Sequence, residues 1–64
     1  MKYEREYIAF CDDGHDYSEF TFYSFHRAGS KANLADAKRT QERRYGYKFA
    51  TRNKIYKTQL AQED

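Results

Sequence analysis

Cys11, Asp12, Asp13, His15 and Asp16 crowd into one short stretch, and they are the residue types that hold metals or carry nucleophilic chemistry. A thiolate beside an imidazole can form a catalytic pair, provided a third group orients the base. Carboxylates, thiol and imidazole together can ligate a divalent cation. The spacing argues against both. Neighbouring residues of a strand and turn point in different directions, and no second Cys/His pair stands at structural-zinc spacing. No partner for the imidazole is apparent. The stretch "DDGHD" is instead read as a polar hairpin loop, with Gly14 free to take positive φ. A second candidate is His26, Arg27 and Ser30, an anion site at a helix start where free N–H groups point outward. A turn-and-cap role is the expected one. No catalytic residue, metal or cofactor is assigned, and so small a core is not expected to enclose an active site. The chain is read as a non-enzymatic protein.

Charge points to binding rather than catalysis. The net charge of +2 conceals three blocks. Residues 1–26 carry two bases against six acids, residues 27–58 carry ten bases against Asp36 and Glu42, and Glu63 and Asp64 end the chain. Such asymmetry marks either a nucleic-acid face or two complementary faces of a self-pairing protein. In the nucleic-acid reading, Arg39, Arg43, Arg44, Lys48, Arg52 and Lys54 meet phosphates while exposed Tyr rings stack on bases. The acidic N-terminal third opposes it, and no nucleic-acid-binding signature is present. In the second reading the same residues contact a protein partner.

The elements that position these residues must come from one domain of 64 residues. A chain this short buries only about 60% of its unfolded surface, so its stability is marginal. Cys11 is the only cysteine, which excludes an intrachain disulfide and fits a reducing compartment. No apolar run approaches the length of a membrane span or a signal-peptide core. Ile8, Leu34, Ile55 and Leu60 are the only Ile and Leu, Val is absent, and there are five Phe and seven Tyr. The core must therefore be aromatic, and one helix cannot cover so much ring surface. Self-association is the expected remedy.

Residues 3–11 and 17–25 are rich in Tyr, Phe, Thr and Ile and are read as the strands of a hairpin. A two-residue turn at Asp13-Gly14 would split the aromatics between two faces. A five-residue loop, Asp12 to Asp16, sets Ile8 opposite Phe20 and gathers Ile8, Phe10, Phe20 and Phe22 on one face. Because register follows burial, the longer loop is preferred. The open face then carries Tyr7, Tyr17, Tyr23 and Phe25 and is the expected self-association face. "RAGS" breaks the second strand. Ser30 or Asn33 caps a helix that runs to Tyr45 and stops at Gly46, with Leu34, Ala37, Gln41 and Tyr45 on its inner stripe. Arg39 and Arg43 point away from that stripe. Beyond Gly46, Tyr47 and Phe49 alternate with Lys48, Thr51-Arg52-Asn53 suits a turn or bulge, and residues 54–60 form a strand. The fold class is α+β: a β-β-α-β domain whose antiparallel-rich sheet has the order 2-1-3, with one helix on one face. Residues 61–64 are expected to be a disordered acidic tail.

The segment "FYSFHRAGSKANLADAK" resembles the middle of short uncharacterised proteins of phages and prophages of Gram-positive bacteria. The likeness rests on a strand ending at Ser24, then His26-Arg27-Ala28, then Ser30-Lys31-Ala32-Asn33 opening a helix with Asp36 and Ala37. The resemblance implies a small accessory protein of a mobile element, cytoplasmic in the host. The expected function is a protein-interaction module that forms a homodimer, with an unidentified host or phage protein as a further partner. Nucleic-acid binding is the alternative.

Overall fold

The computed structural model describes residues 3–61. The elements are β1 (Arg5–Asp12), β2 (Tyr17–Ser24), α1 (Lys31–Tyr45), α2 (Tyr47–Arg52) and β3 (Lys54–Leu60). The three strands form one antiparallel sheet in the order β2-β1-β3, with α1 packed on one face. The architecture is α+β, as the sequence predicts.

The hairpin register differs from the expected one by a single residue. Asp12 pairs with Tyr17, so the loop has four residues, and Ile8 faces Thr21 while Ala9 faces Phe20. Asp13 shapes this loop. Its Oδ1 accepts from the backbone N–H of His15 at 2.8 Å and of Asp16 at 2.7 Å, and Gly14 takes φ 100°. A one-residue shift reverses every side chain of a strand. Tyr7, Ala9 and Cys11 face α1 and join Phe20, Phe22 and the helix residue Ala37 in the core. Ile8 and Phe10 turn to the open side, and Tyr7, only 3% exposed, leaves the expected self-association face. The physical reason is volume. Ala9 and Cys11 leave room beneath the helix, while Tyr7 stacks on Phe22 with ring centroids 5.6 Å apart.

Helix α1 begins where Ser30 caps it, accepting from Asn33 N–H at 3.2 Å. Asn33 is not the cap. It is buried, donates from Nδ2 to the His26 carbonyl at 2.9 Å, and accepts from the Thr58 hydroxyl at 2.7 Å. Thr58 Oγ1 also accepts from Gly29 N–H at 2.8 Å. Crossover loop, helix and third strand are thus joined through two side chains. The inner stripe differs accordingly: Asn33, Ala37, Thr40 and Gln41 are buried, Leu34 is half-buried, and Tyr45 is exposed.

Among the described residues there are two helices rather than one. Gly46, at φ 100°, donates to the Glu42 carbonyl and ends α1, and its own carbonyl then accepts from Ala50 N–H to start α2. Residues 47–52 turn as a helix because this buries Ala50 and sets Phe49 on Tyr45, with ring centroids 5.1 Å apart. Asn53 closes α2 by donating to the Phe49 carbonyl from both its backbone and its side chain. Gln41 Nε2, in turn, donates to the Asn53 carbonyl at 3.0 Å. Strand β3 contains a bulge between the partners of Phe10 and Cys11. At the chain end, Ala61 N–H bonds to the Glu6 carbonyl at 3.0 Å, so this first residue of the expected tail is tied to the sheet. Residues 62–64 lie outside the described residues.

Phe22→Ala should destabilise the domain by about 3–5 kcal/mol, because the vacated space lies under α1. Phe10→Ala should cost much less, since that ring is half-buried on the open face. Urea unfolding of both variants checks the register. Equal losses, or a greater loss at Phe10, would contradict it.

Candidate functional site

Strand alternation fixes the content of the face turned away from α1. It carries Glu6, Ile8, Phe10 and Asp12 of β1, Tyr17, Glu19, Thr21 and Tyr23 of β2, and Lys54, Lys57 and Gln59 of β3. The bulge in β3 adds Tyr56, which is 60% exposed. Phe10 lies at the centre. The Tyr17 ring stacks against it at 6.1 Å between centroids, and the Lys57 ammonium sits 5.5 Å from its centroid on the β3 side. Tyr17, Tyr23 and Tyr56 all stay more than half exposed. Phe25, also exposed, follows the end of β2 rather than lying within the sheet.

The Tyr17 hydroxyl donates to Glu19 Oε2. That bond favours the neutral phenol, and with smaller contributions from desolvation and from the Glu19 charge it pushes the Tyr17 pKa up to about 12. In the hairpin loop, the Asp13 carboxyl is held below its ordinary value, first by the hydrogen bond from Asp16 N–H and then by that from His15 N–H.

The six basic residues singled out above are all exposed, but they do not act alike. Arg39 pairs with Asp36 at 3.2 Å. Arg44 Nη1 donates to the Thr21 carbonyl at 2.9 Å, fastening the end of α1 to the edge strand β2. Lys48 and Arg52 are one turn apart on α2, where with Tyr47 and Thr51 they line a shallow hollow of about 280 Å³. Lys54 and Lys38 flank a separate groove floored by Leu34, Ala50 and Ile55. The basic residues of α1 and α2 therefore belong to the helical layer, while Tyr17, Tyr23 and Tyr56 belong to the sheet face. Tyr47, 73% exposed, stands among the cations of α2, and the Arg44 guanidinium lies 5.9 Å from the centroid of the exposed Tyr45 ring. Sequence reasoning missed Phe10 and Tyr56 as open-face residues. Tyr56 gave no signal, because nothing in the sequence marks the bulge.

The chemistry-bearing stretch at the hairpin does not converge. Cys11 faces the core, its Sγ 3.2 Å from Ser18 Oγ, while His15 is exposed in the loop. Among the described residues, no group of three His, Cys, Asp or Glu side chains is placed to hold a metal ion. The Ser30 hydroxyl of the other candidate caps α1 and donates to the Arg27 carbonyl. Among the described residues, no helix is long and apolar enough to cross a membrane. Comparison with protein-family models, curated proteins and solved structures finds no match.

Followed by its ring resonances in an NMR pH titration, Tyr17 should ionise near 12 rather than 10, and Glu19→Gln should bring it down toward 10. The raised value means that the contribution of this bond to stability is fully present below pH 10 and is lost as pH rises through about 12. Asp13 acts in the opposite direction: its contribution is present above its ordinary value of 3.8 and is lost as pH falls below it. Ionisation of Tyr17 near 10 in the parent would contradict the bond to Glu19.

Proposed function

We propose that the protein is a non-enzymatic interaction module that self-associates through the open face of its sheet. The observation that carries this reading is the uncovered row of Ile8, Phe10, Tyr17, Tyr23 and Tyr56 on the side opposite α1. Contiguous exposed apolar and aromatic surface is uncommon on monomers and typical of interfaces. Strands of seven or eight residues give the face a length of roughly 25 Å and, over three strands, a width of roughly 14 Å. Taken as flat, two such faces cover roughly 700 Å² in all, below the standard size of specific interfaces, which suits a weak dimer that dissociates readily. The likeness to phage and prophage proteins supports a role as an accessory protein in the host cytoplasm, with a host or phage protein as the further partner.

The hollow on α2 favours a second reading, nucleic-acid binding by the helical layer. A Tyr ring flanked by Lys48 and Arg52 offers a stacking surface beside two phosphate contacts. It ranks second because Tyr17, Tyr23 and Tyr56 stand on the sheet face, away from these cations.

Sedimentation equilibrium with and without a labelled mixed-sequence oligonucleotide tests both readings. The parent should be dimeric at high micromolar concentration, and Tyr56→Lys should shift it toward monomer without loss of fold. Oligonucleotide binding should be negligible at 0.15 M salt, where screening acts beyond roughly 8 Å. A monomeric parent, or an unchanged dimer in Tyr56→Lys, would overturn the first reading. Tight oligonucleotide binding at that salt, lost in a Lys48→Gln, Arg52→Gln variant, would establish the second.

A further inference from the structure

We propose that the partner on the open face is a second copy related by a two-fold axis running along β1. The proposal rests on the self-association reading and adds the register of the contact. Its basis is one row of residues. Phe10 on the central strand stands opposite Glu19 on β2 and opposite Lys57 on β3. A carboxylate, an aromatic ring and an ammonium group thus cross the sheet at one level, one from each strand.

Two copies packed face to face have their two-fold axis in the plane of contact, either along the strands or across them. An axis along β1 exchanges the two edges of the sheet and lays β2 of one copy over β3 of the other. Glu19 then meets Lys57, Phe10 meets Phe10, and Lys57 meets Glu19. An axis across the strands lays each edge strand on its own copy. It sets Glu19 against Glu19 and Lys57 against Lys57, which costs energy on both sides. The row is self-complementary under the first operation alone, as an isologous interface requires. The adjoining level on one side agrees. At the next open-face level Thr21, Ile8 and Gln59 align, so Ile8 meets Ile8 and the flanking polar side chains meet each other. Asp12 and Glu6, at the two ends of the β1 row, fall near their own copies, but the Asp12 carboxylate accepts from the Gly14 N–H, and aligned sheets crossing at about 30° separate the strand ends, most of all at Glu6.

Charge reversal reads the axis directly. Glu19→Lys and Lys57→Glu are made separately, checked for fold by circular dichroism, and compared by sedimentation equilibrium alone and as an equimolar mixture. Each variant alone should dimerise at least about tenfold more weakly than the parent, because two attractive pairs become repulsive. The mixture should recover parent-like association as a heterodimer, since every pair is again opposite in sign. Folded single variants that associate as tightly as a dimeric parent would overturn the axis and leave self-association standing. So would a mixture that stays monomeric. A monomeric parent would overturn both.

Discussion

Ala9, Cys11 and Ala37 expose no surface at all, and through them α1 and the central strand approach closely. With no Val and only two Ile and two Leu, the chain has few aliphatic side chains to fill a core. It uses small residues beneath the helix and large rings around them. Tyr7, Phe22 and Phe20 follow one another across the sheet, and Tyr45 and Phe49 extend the series to α2. The inward turn of Ala9 and Cys11 fixes the hairpin register. That register sends Ile8 and Phe10 to the other side and so creates the open face. Core and candidate interface are two consequences of one constraint.

Hydrogen bonds complete what the rings leave undone. Asn33, Thr58 and Gln41 are buried polar side chains, each satisfied by a partner on a different element or loop. A satisfied buried network adds little net energy per bond but heavily penalises any arrangement that breaks it. Here it selects a single seat for α1 against β3. The Ser24 hydroxyl does the same at the other edge, donating to Asp36 at 2.7 Å while accepting from His26 N–H at 3.0 Å. Arg44 covers one carbonyl of the exposed edge of β2, and Lys54 and Lys57 lie on the other edge strand, features that discourage open-ended strand pairing.

Much of the architecture was legible in the sequence: the hairpin, the helix to Tyr45, the third strand and the 2-1-3 order. The register was not, because β1 carries two usable inward sets. Tyr7-Ala9-Cys11 is smaller in its middle, and Ile8-Phe10 is more apolar. A pattern argument favours the more apolar set, whereas close packing under a helix favours the smaller one. Asn33 also misled, since an Asn near a helix start suggests a cap. Its actual partners, the His26 carbonyl and Thr58, are set by tertiary contact. The second helix escaped for a related reason: Tyr47 and Phe49 alternate as in a strand, and the bond from Gly46 to Glu42 that redirects the chain is invisible to periodicity. Of the residues expected on the open face, Tyr17 and Tyr23 stand there, Tyr7 turns inward with the register and Phe25 follows the end of β2, while Phe10 and Tyr56 stand there against expectation.

The central claim is that the sheet face opposite α1, and not the helical layer, joins two copies. An isotope-filtered NMR experiment on a mixture of labelled and unlabelled protein detects contacts between copies alone. The account predicts intermolecular contacts among the rings of Phe10, Tyr17 and Tyr56, with none from Tyr47. Intermolecular contacts arising from Tyr47 and its neighbours on α2, with none from Phe10, would contradict it.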